Sequence, residues 1–239
     1  MTHGRLAGPA GHEARHLYAI ISSGLPVWDS ELLGWPPDRG AGWLGSSPLL
    51  VRPSLDGEPL TTYLASYELT DVVTADLGKW TSRVEVAAAQ LGVRPAGAVI
   101  QPLEQVDSSG VAYNVDPVTG ERVVVVQAVI GLHVDLLKGT APHDTFILGS
   151  SRLDIIEARV LPKPTVVSVS GNILQRVPSP DPLRFSLNGD ELAKVGLLLK
   201  QVEGVIGKNP LEVEWALRNG RPVIMAARPV PAELIGHKL

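Results

Sequence analysis

Apolar residues recur along the chain with two different periods. Between residues 12 and 23, Leu17, Ile20 and Ile21 share one helical face and Gly24 follows as a stop, which predicts a first helix. Residues 25–33 read as a strand or extended turn. Residues 34–48 are rich in Gly, Pro and Ser and predict a loop, followed by a short strand at 49–52. In 68–91, Leu69, Val72, Val73, Leu77, Trp80, Val84, Ala88 and Leu91 return to helical spacing before Gly92, predicting one or two helices.

From Ala98 the period shortens. Segments 98–103, 111–115 and 122–130 (RVVVVQAVI) are β-branched runs between turn residues and predict strands. The DPVTGE cluster at 116–121 places Pro and Gly where a turn needs them, so its flanks form a hairpin. A short helix is expected within 131–139, and strands at 145–148 and 153–160. Segment 161–182 carries Pro162, Pro164, Pro178, Pro180 and Pro182 and reads as a long connection with one strand at 166–169. Asp190 is the expected cap of a helix to about Ile206, with Leu192, Val195, Leu198, Leu199 and Val202 as its buried stripe. Two strands, 211–217 and 222–227, then flank Arg218-Asn219-Gly220-Arg221. Helices mixed with mostly antiparallel strands give an α+β fold.

Composition narrows the function classes. The 239 residues fit one large domain or two small ones, and 44% apolar against 19% charged residues excludes a disordered chain. A formal charge of −4 leaves no electrostatic footprint for nucleic acid or an anionic membrane. With no Cys, disulfides, thiolate metal sites and a Cys nucleophile are excluded. Neither a membrane span nor a signal peptide is read, and a cytoplasmic location is expected. His12 and His16 stand at i, i+4, but such a pair on a helix is ordinarily a surface feature.

Two longer motifs carry chemistry: Ser109–Gly120 (SGVAYNVDPVTG) and Leu211–Val230 (LEVEWALRNGRPVIMAARPV), with weaker support from Ser23-Gly24-Leu25-Pro26-Val27 and Leu50-Val51-Arg52-Pro53-Ser54. Together they resemble the ATP-binding domain of the pyruvate phosphate dikinase, phosphoenolpyruvate synthase and rifampin phosphotransferase family. The resemblance implies an ATP-grasp-type fold of two lobes, 1–97 (compressed) and 98–239, with ATP and Mg²⁺ between them. It assigns the adenine to the backbone of the strand holding Ile100, Gln101 and Leu103. Glu214 takes the metal and phosphates, and Arg228 and Arg52 contact the phosphates. Nothing here resembles the family's phosphohistidine or phosphoenolpyruvate-binding parts, so a separate phosphohistidine or substrate-domain protein is the implied partner, and the acceptor is unassigned.

The departures are as informative. Glu13 stands where the family has a phosphate-contacting Lys, Ala226 where it has a metal-binding Gln, and His133 within a segment that loses a carboxylate. Three readings stay open: an ATP-dependent phosphotransferase or its nucleotide-binding subunit, a non-catalytic partner-binding module, and a repurposed small-molecule enzyme. Strand register bears on the site. A two-residue Asn219-Gly220 turn in a regular hairpin sets Glu214 and Arg228 on opposite faces. A three-residue Arg218-Asn219-Gly220 loop puts Glu212, Glu214, Ala226 and Arg228 on one face, and is the loop expected.

Overall fold

The protein is described here from a computed structural model covering residues 11–37, 47–74, 76–207 and 210–236. The expected lead-in at 1–10 and most of the expected 34–48 loop lie outside the described residues. In chain order the elements are α1 (Gly11–Ser22), β1 (Glu31–Gly34), β2 (Leu49–Asp56), α2 (Pro59–Leu69), β3 (Asp71–Val73), α3 (Gly78–Leu91), β4 (Arg94–Pro102), β5 (Ser108–Tyr113), β6 (Val123–Ile130), α4 (Val134–Leu137), β7 (Asp144–Gly149), β8 (Ile155–Arg159), β9 (Thr165–Ser170), β10 (Ile173–Pro178), α5 (Gly189–Ile206), β11 (Leu211–Arg218) and β12 (Arg221–Pro229).

The strands form two main antiparallel sheets. A four-stranded sheet runs β1-β4-β2-β3, and a six-stranded sheet runs β12-β11-β5-β6-β7-β8. β9 and β10 pair as a separate hairpin. The small sheet buries Leu49, Val51, Leu55 and Ile100 against Leu69 of α2 and Trp80, Val84 and Ala88 of α3. One side of the large sheet buries Val213, Trp215 and Ile224 against Leu192, Val195 and Leu199 of α5 and Leu17 and Ile20 of α1. A third cluster seals one end between the sheets, with Trp28, Leu50 and Leu103 against Ala216 and Met225. Among the described residues no helix is long and apolar enough to cross a membrane.

The α+β architecture agrees with the expectation, and several details correct it. Residue 97, the expected boundary between lobes, lies within β4, an inner strand of the small sheet. α1, the first of the described elements, packs into the core of the large sheet. Its first turn is clamped on β2: the Ala14 N–H donates to Ser54 Oγ at 2.9 Å. Gly11 permits this approach, with φ +77°, since a Cβ there would stand 2.5 Å from the Ser54 backbone. α2 was not expected as a separate helix, β3 replaces part of the expected helical stretch, and segment 161–182 holds two strands rather than one. The cap of α5 is Asn188, not Asp190. Its side chain accepts from the Glu191 N–H while Glu191 accepts from the Asn188 N–H, a reciprocal capping box.

The last hairpin departs from expectation in an instructive way. Arg218 pairs with Arg221, so the turn has two residues, and Asn219 and Gly220 both have positive φ (52° and 67°). Further along, Glu214 pairs with Ala226 but Trp215 pairs with Ile224, leaving Met225 as an extra residue in a β-bulge. The bulge resets the register that the short turn would have reversed. Glu212 lies opposite Arg228 and Glu214 opposite Ala226. The expected face is formed, by a bulge instead of a longer loop.

Candidate nucleotide site

Glu212, Glu214 and Arg228 rise from the side of the large sheet opposite α5 and meet Arg52 of the small sheet. Glu214 is fully buried and accepts a bidentate pair from Arg52, Nη1 to Oε1 at 2.9 Å and Nη2 to Oε2 at 2.6 Å. Arg228 Nη2 also donates to Glu214 Oε1. His133 Nε2 lies 3.1 Å from Glu214 Oε2. Arg228 is shared further: its Nε is 3.0 Å from Glu212 Oε1, its Nη1 donates to Ser66 Oγ at 2.9 Å, and Glu13 Oε2 lies 3.4 Å from Nη1. The guanidinium stands 4.4 Å over the Tyr67 ring, a cation–π contact. Tyr63 closes the ring of partners by donating to Glu212 Oε2 at 2.6 Å.

Burial and charge act in opposite directions here. Burial alone would push the Glu214 carboxyl up, yet Arg52 and Arg228, helped by the His133 contact, hold it well below the usual carboxylate range. Glu13 goes the other way: burial raises its pKa, and Arg228 and Arg52 recover only part of the shift. Burial disfavours the Arg228 charge, but Glu13, Glu212 and Glu214 keep it firmly cationic. The hydroxyls of Tyr63, Tyr67 and Tyr113 are pushed up by burial and then by the Glu212 charge, so they act as neutral donors.

The structure thus gathers three of the expected residues, Arg52, Glu214 and Arg228, at one point. It does not leave the expected adenine strand open. β4 is flanked by both β1 and β2, with Ile100 opposite Glu31 on one side and Val51 on the other. The Gln101 amide donates to the Met225 carbonyl at 2.8 Å and to Ser30 Oγ at 2.9 Å. Trp28 Nε1 donates to the Pro102 carbonyl at 2.7 Å, and the Leu103 N–H donates to the Pro48 carbonyl at 2.7 Å. Ile100, Gln101 and Leu103 are therefore enclosed, and a base reaches them only after Trp28 or the 47–48 segment moves.

The metal assignment to Glu214 is also corrected. Both its oxygens are engaged by guanidinium groups, and its cross-strand neighbour Ala226 offers no donor atom. Among the described residues no three His, Cys, Asp or Glu side chains gather as a metal cluster. The residues as arranged do not fit Mg²⁺. Sequence reasoning missed Tyr63, Ser66 and Tyr67 because α2 itself was not seen. It noted His133 only as part of a segment that loses a carboxylate, whereas its ring contacts Glu214.

The two sheets thus meet over a buried cluster of arginines and carboxylates. The pattern of the pyruvate phosphate dikinase AMP/ATP-binding domain matches residues 91–233, and the chain belongs to this family. It is 31% identical over 148 residues to a probable phosphoenolpyruvate synthase of Methanocaldococcus jannaschii, covering 59% of this chain and 12% of that one. It is 27% identical over 181 residues to the prodigiosin synthesizing transferase PigC of Serratia marcescens, covering 72% of this chain and 20% of that one. It is 24% identical over 136 residues to the rifampicin phosphotransferase of Bacillus subtilis, covering 55% and 15%. The chain therefore spans at most a fifth of the length of these relatives. Among solved structures, D-alanine–D-alanine ligase of Bacillus anthracis is similar at a TM-score of 0.46 and 10% identity, over 92% of this chain and 56% of that one.

Proposed function

We propose that the chain is the nucleotide-binding lobe of an ATP-dependent phosphotransferase, acting in the cytoplasm. The observation that carries this reading is the convergence of Arg52 and Arg228, from two different sheets, on the single carboxylate of Glu214. Guanidinium groups fixed in a dry cleft stabilise charge on a phosphoryl group in transit. To receive phosphates they must exchange carboxylate partners for phosphate oxygens, which requires the two sheets to part at this end. Magnesium, in this reading, arrives on the phosphates and is held by them. The phosphoryl acceptor comes from elsewhere, either a phosphohistidine or substrate-domain partner or a small molecule. The names of the relatives, phosphoenolpyruvate synthase and rifampicin phosphotransferase, agree with such transfer.

One observation favours a second reading. Glu13 faces Arg228 where the motif resemblance calls for a Lys, and Ala226 replaces a Gln, so the fold serves instead as a non-catalytic module. Calorimetry of ATP and ADP, with and without Mg²⁺, on the wild type and on Arg228→Ala separates the two. Micromolar binding that disappears in the variant supports the phosphotransferase. No heat at millimolar nucleotide removes it and leaves the module.

A further inference from the structure

The hydroxyls and the guanidinium that share a cavity with Glu13 are already committed to other partners. The cavity, of about 250 Å³, lies between α1, β2, α2 and the end of β12. In its lining, the Thr62 hydroxyl donates to the Pro59 carbonyl at 3.0 Å, the Ser66 hydroxyl to the Tyr63 carbonyl at 2.8 Å, and the Tyr63 hydroxyl to Glu212 Oε2 at 2.6 Å. Arg228 gives Nη1 to Ser66 and Nη2 to Glu214, and its Nε faces Glu212. The apolar walls are Pro53, Leu55, Pro59, Pro229, Val230 and Pro231, and the four prolines have no N–H to give. Two polar atoms of lining residues are left over. Glu13 Oε1 and His16 Nδ1 are buried without a hydrogen-bond partner, and Glu13 as a whole is 6% exposed.

That remainder restricts the chemistry of a guest. A phosphate or carboxylate finds no free donor among those hydroxyls and the guanidinium. An ammonium meets the positive charges of Arg15 and Arg228, which already act on His16. Either charged head would also lose its water against proline and leucine walls. A hydroxyl both donates and accepts, so it serves Glu13 Oε1 with the carboxyl ionised or protonated, and His16 Nδ1 in either tautomer of the ring. The rest of the guest is apolar and small. An apolar cavity of about 150 Å³ takes a benzene ring, so this one has room for a ring with a short chain. His12 and Pro59, both exposed, are among the lining residues and leave the cavity open to solvent.

We propose that this cavity is a binding site for a small uncharged alcohol with an apolar body, its hydroxyl held by Glu13 and His16. The site adjoins the Arg52–Glu214 cluster through Arg228 and does not rest on that cluster taking a nucleotide.

The test is a titration of the full chain with benzyl alcohol, benzylamine and benzoate, followed by heteronuclear NMR of the backbone amides. Benzyl alcohol is expected to shift amides around Glu13, Tyr63 and Val230, and to bind at least tenfold more tightly than the amine or the acid. Glu13→Leu and His16→Leu, each checked for folding by circular dichroism, should each weaken the alcohol at least fivefold. Glu13→Gln, which keeps an acceptor and a donor, should retain it. No shift at millimolar alcohol overturns the proposal, and so do equal affinities for the three probes or shifts confined to other parts of the molecule. Unchanged alcohol affinity in both folded leucine variants overturns it as well. Should Glu13→Leu not fold, the order of the three probes and His16→Leu still decide the matter.

Discussion

Arg52 and Glu214 are 162 residues apart in sequence and joined by two hydrogen bonds in the dry contact between the two sheets. Their side chains are 1% and 0% exposed. An ion pair at that depth contributes little beyond what a well-packed apolar pair would give, but breaking it strands a charge. Arg52→Met is expected to destabilise the protein by about 3–5 kcal/mol. Arg52→Met with Glu214→Leu should cost less than the sum of the two single changes. Urea unfolding of the four proteins in a double-mutant cycle measures this, and additive costs would deny the coupling.

A second buried pair tests the same physics away from the site. Lys163 Nζ donates to Asp144 Oδ1 at 2.5 Å, with side-chain exposures of 2% and 0%. Asp144 also accepts the Ser186 N–H at 2.7 Å, just before α5 begins. Lys163→Met is expected to cost about 3–5 kcal/mol, and adding Asp144→Asn should recover part of it. Denaturant midpoints report both.

His16 makes stability depend on pH. Burial, then the positive charges of His12, Arg15 and Arg228, lower its pKa from 6.5 to about 4. Between those values the unfolded chain binds more protons than the folded one. Its contribution is therefore complete above pH 6.5 and lost as the pH falls from 6.5 to about 4. After allowance for its partial exposure, the effect is on the order of 2 kcal/mol. His16→Gln should flatten the stability profile across that window. An unchanged slope would mean that His16 titrates normally in the folded state.

Gly110 is required by close approach. It sits in β5 between β11 and β6, and a Cβ there would stand 1.9 Å from the Gln127 carbonyl oxygen. Gly110→Ala is expected to destabilise by about 3 kcal/mol through overpacking. A thermal melt within a degree of the wild type would show that β6 yields easily.

What the sequence revealed and concealed has physical causes. β6 was visible because Val123–Val126 is β-branched and continuous, and α5 because its apolar stripe is long. α2 was hidden because its buried residues are Thr62, Ala65, Ser66 and Leu69, of which only Leu69 is large and apolar. β9 was legible at 166–169, whereas β10 was hidden because it is mostly exposed and ends on Pro178. The convergence of Arg52, Glu214 and Arg228 was legible through motif and register. The closure of the cleft was not: it depends on Trp28, Pro48 and the partners of Arg228, contacts made between distant segments that leave no local pattern.

Met225 carries a consequence for how this hairpin tolerates change. Side chains alternate between the faces of a strand, so the position of Arg228 relative to Glu214 depends on parity, the odd or even count of residues that separate them along the hairpin. A two-residue turn with one bulge and a three-residue turn with none give the same parity. Removing Met225 would leave Trp215–Ile224 and Glu214–Ala226 as neighbouring pairs of a regular ladder, with Arg228 still opposite Glu212. Keeping Met225 while flattening the bulge would pair it with Glu214 and send Arg228 into the apolar side against α5. The buried cluster thus tolerates loss of the extra residue, but not loss of the bulge that accommodates it.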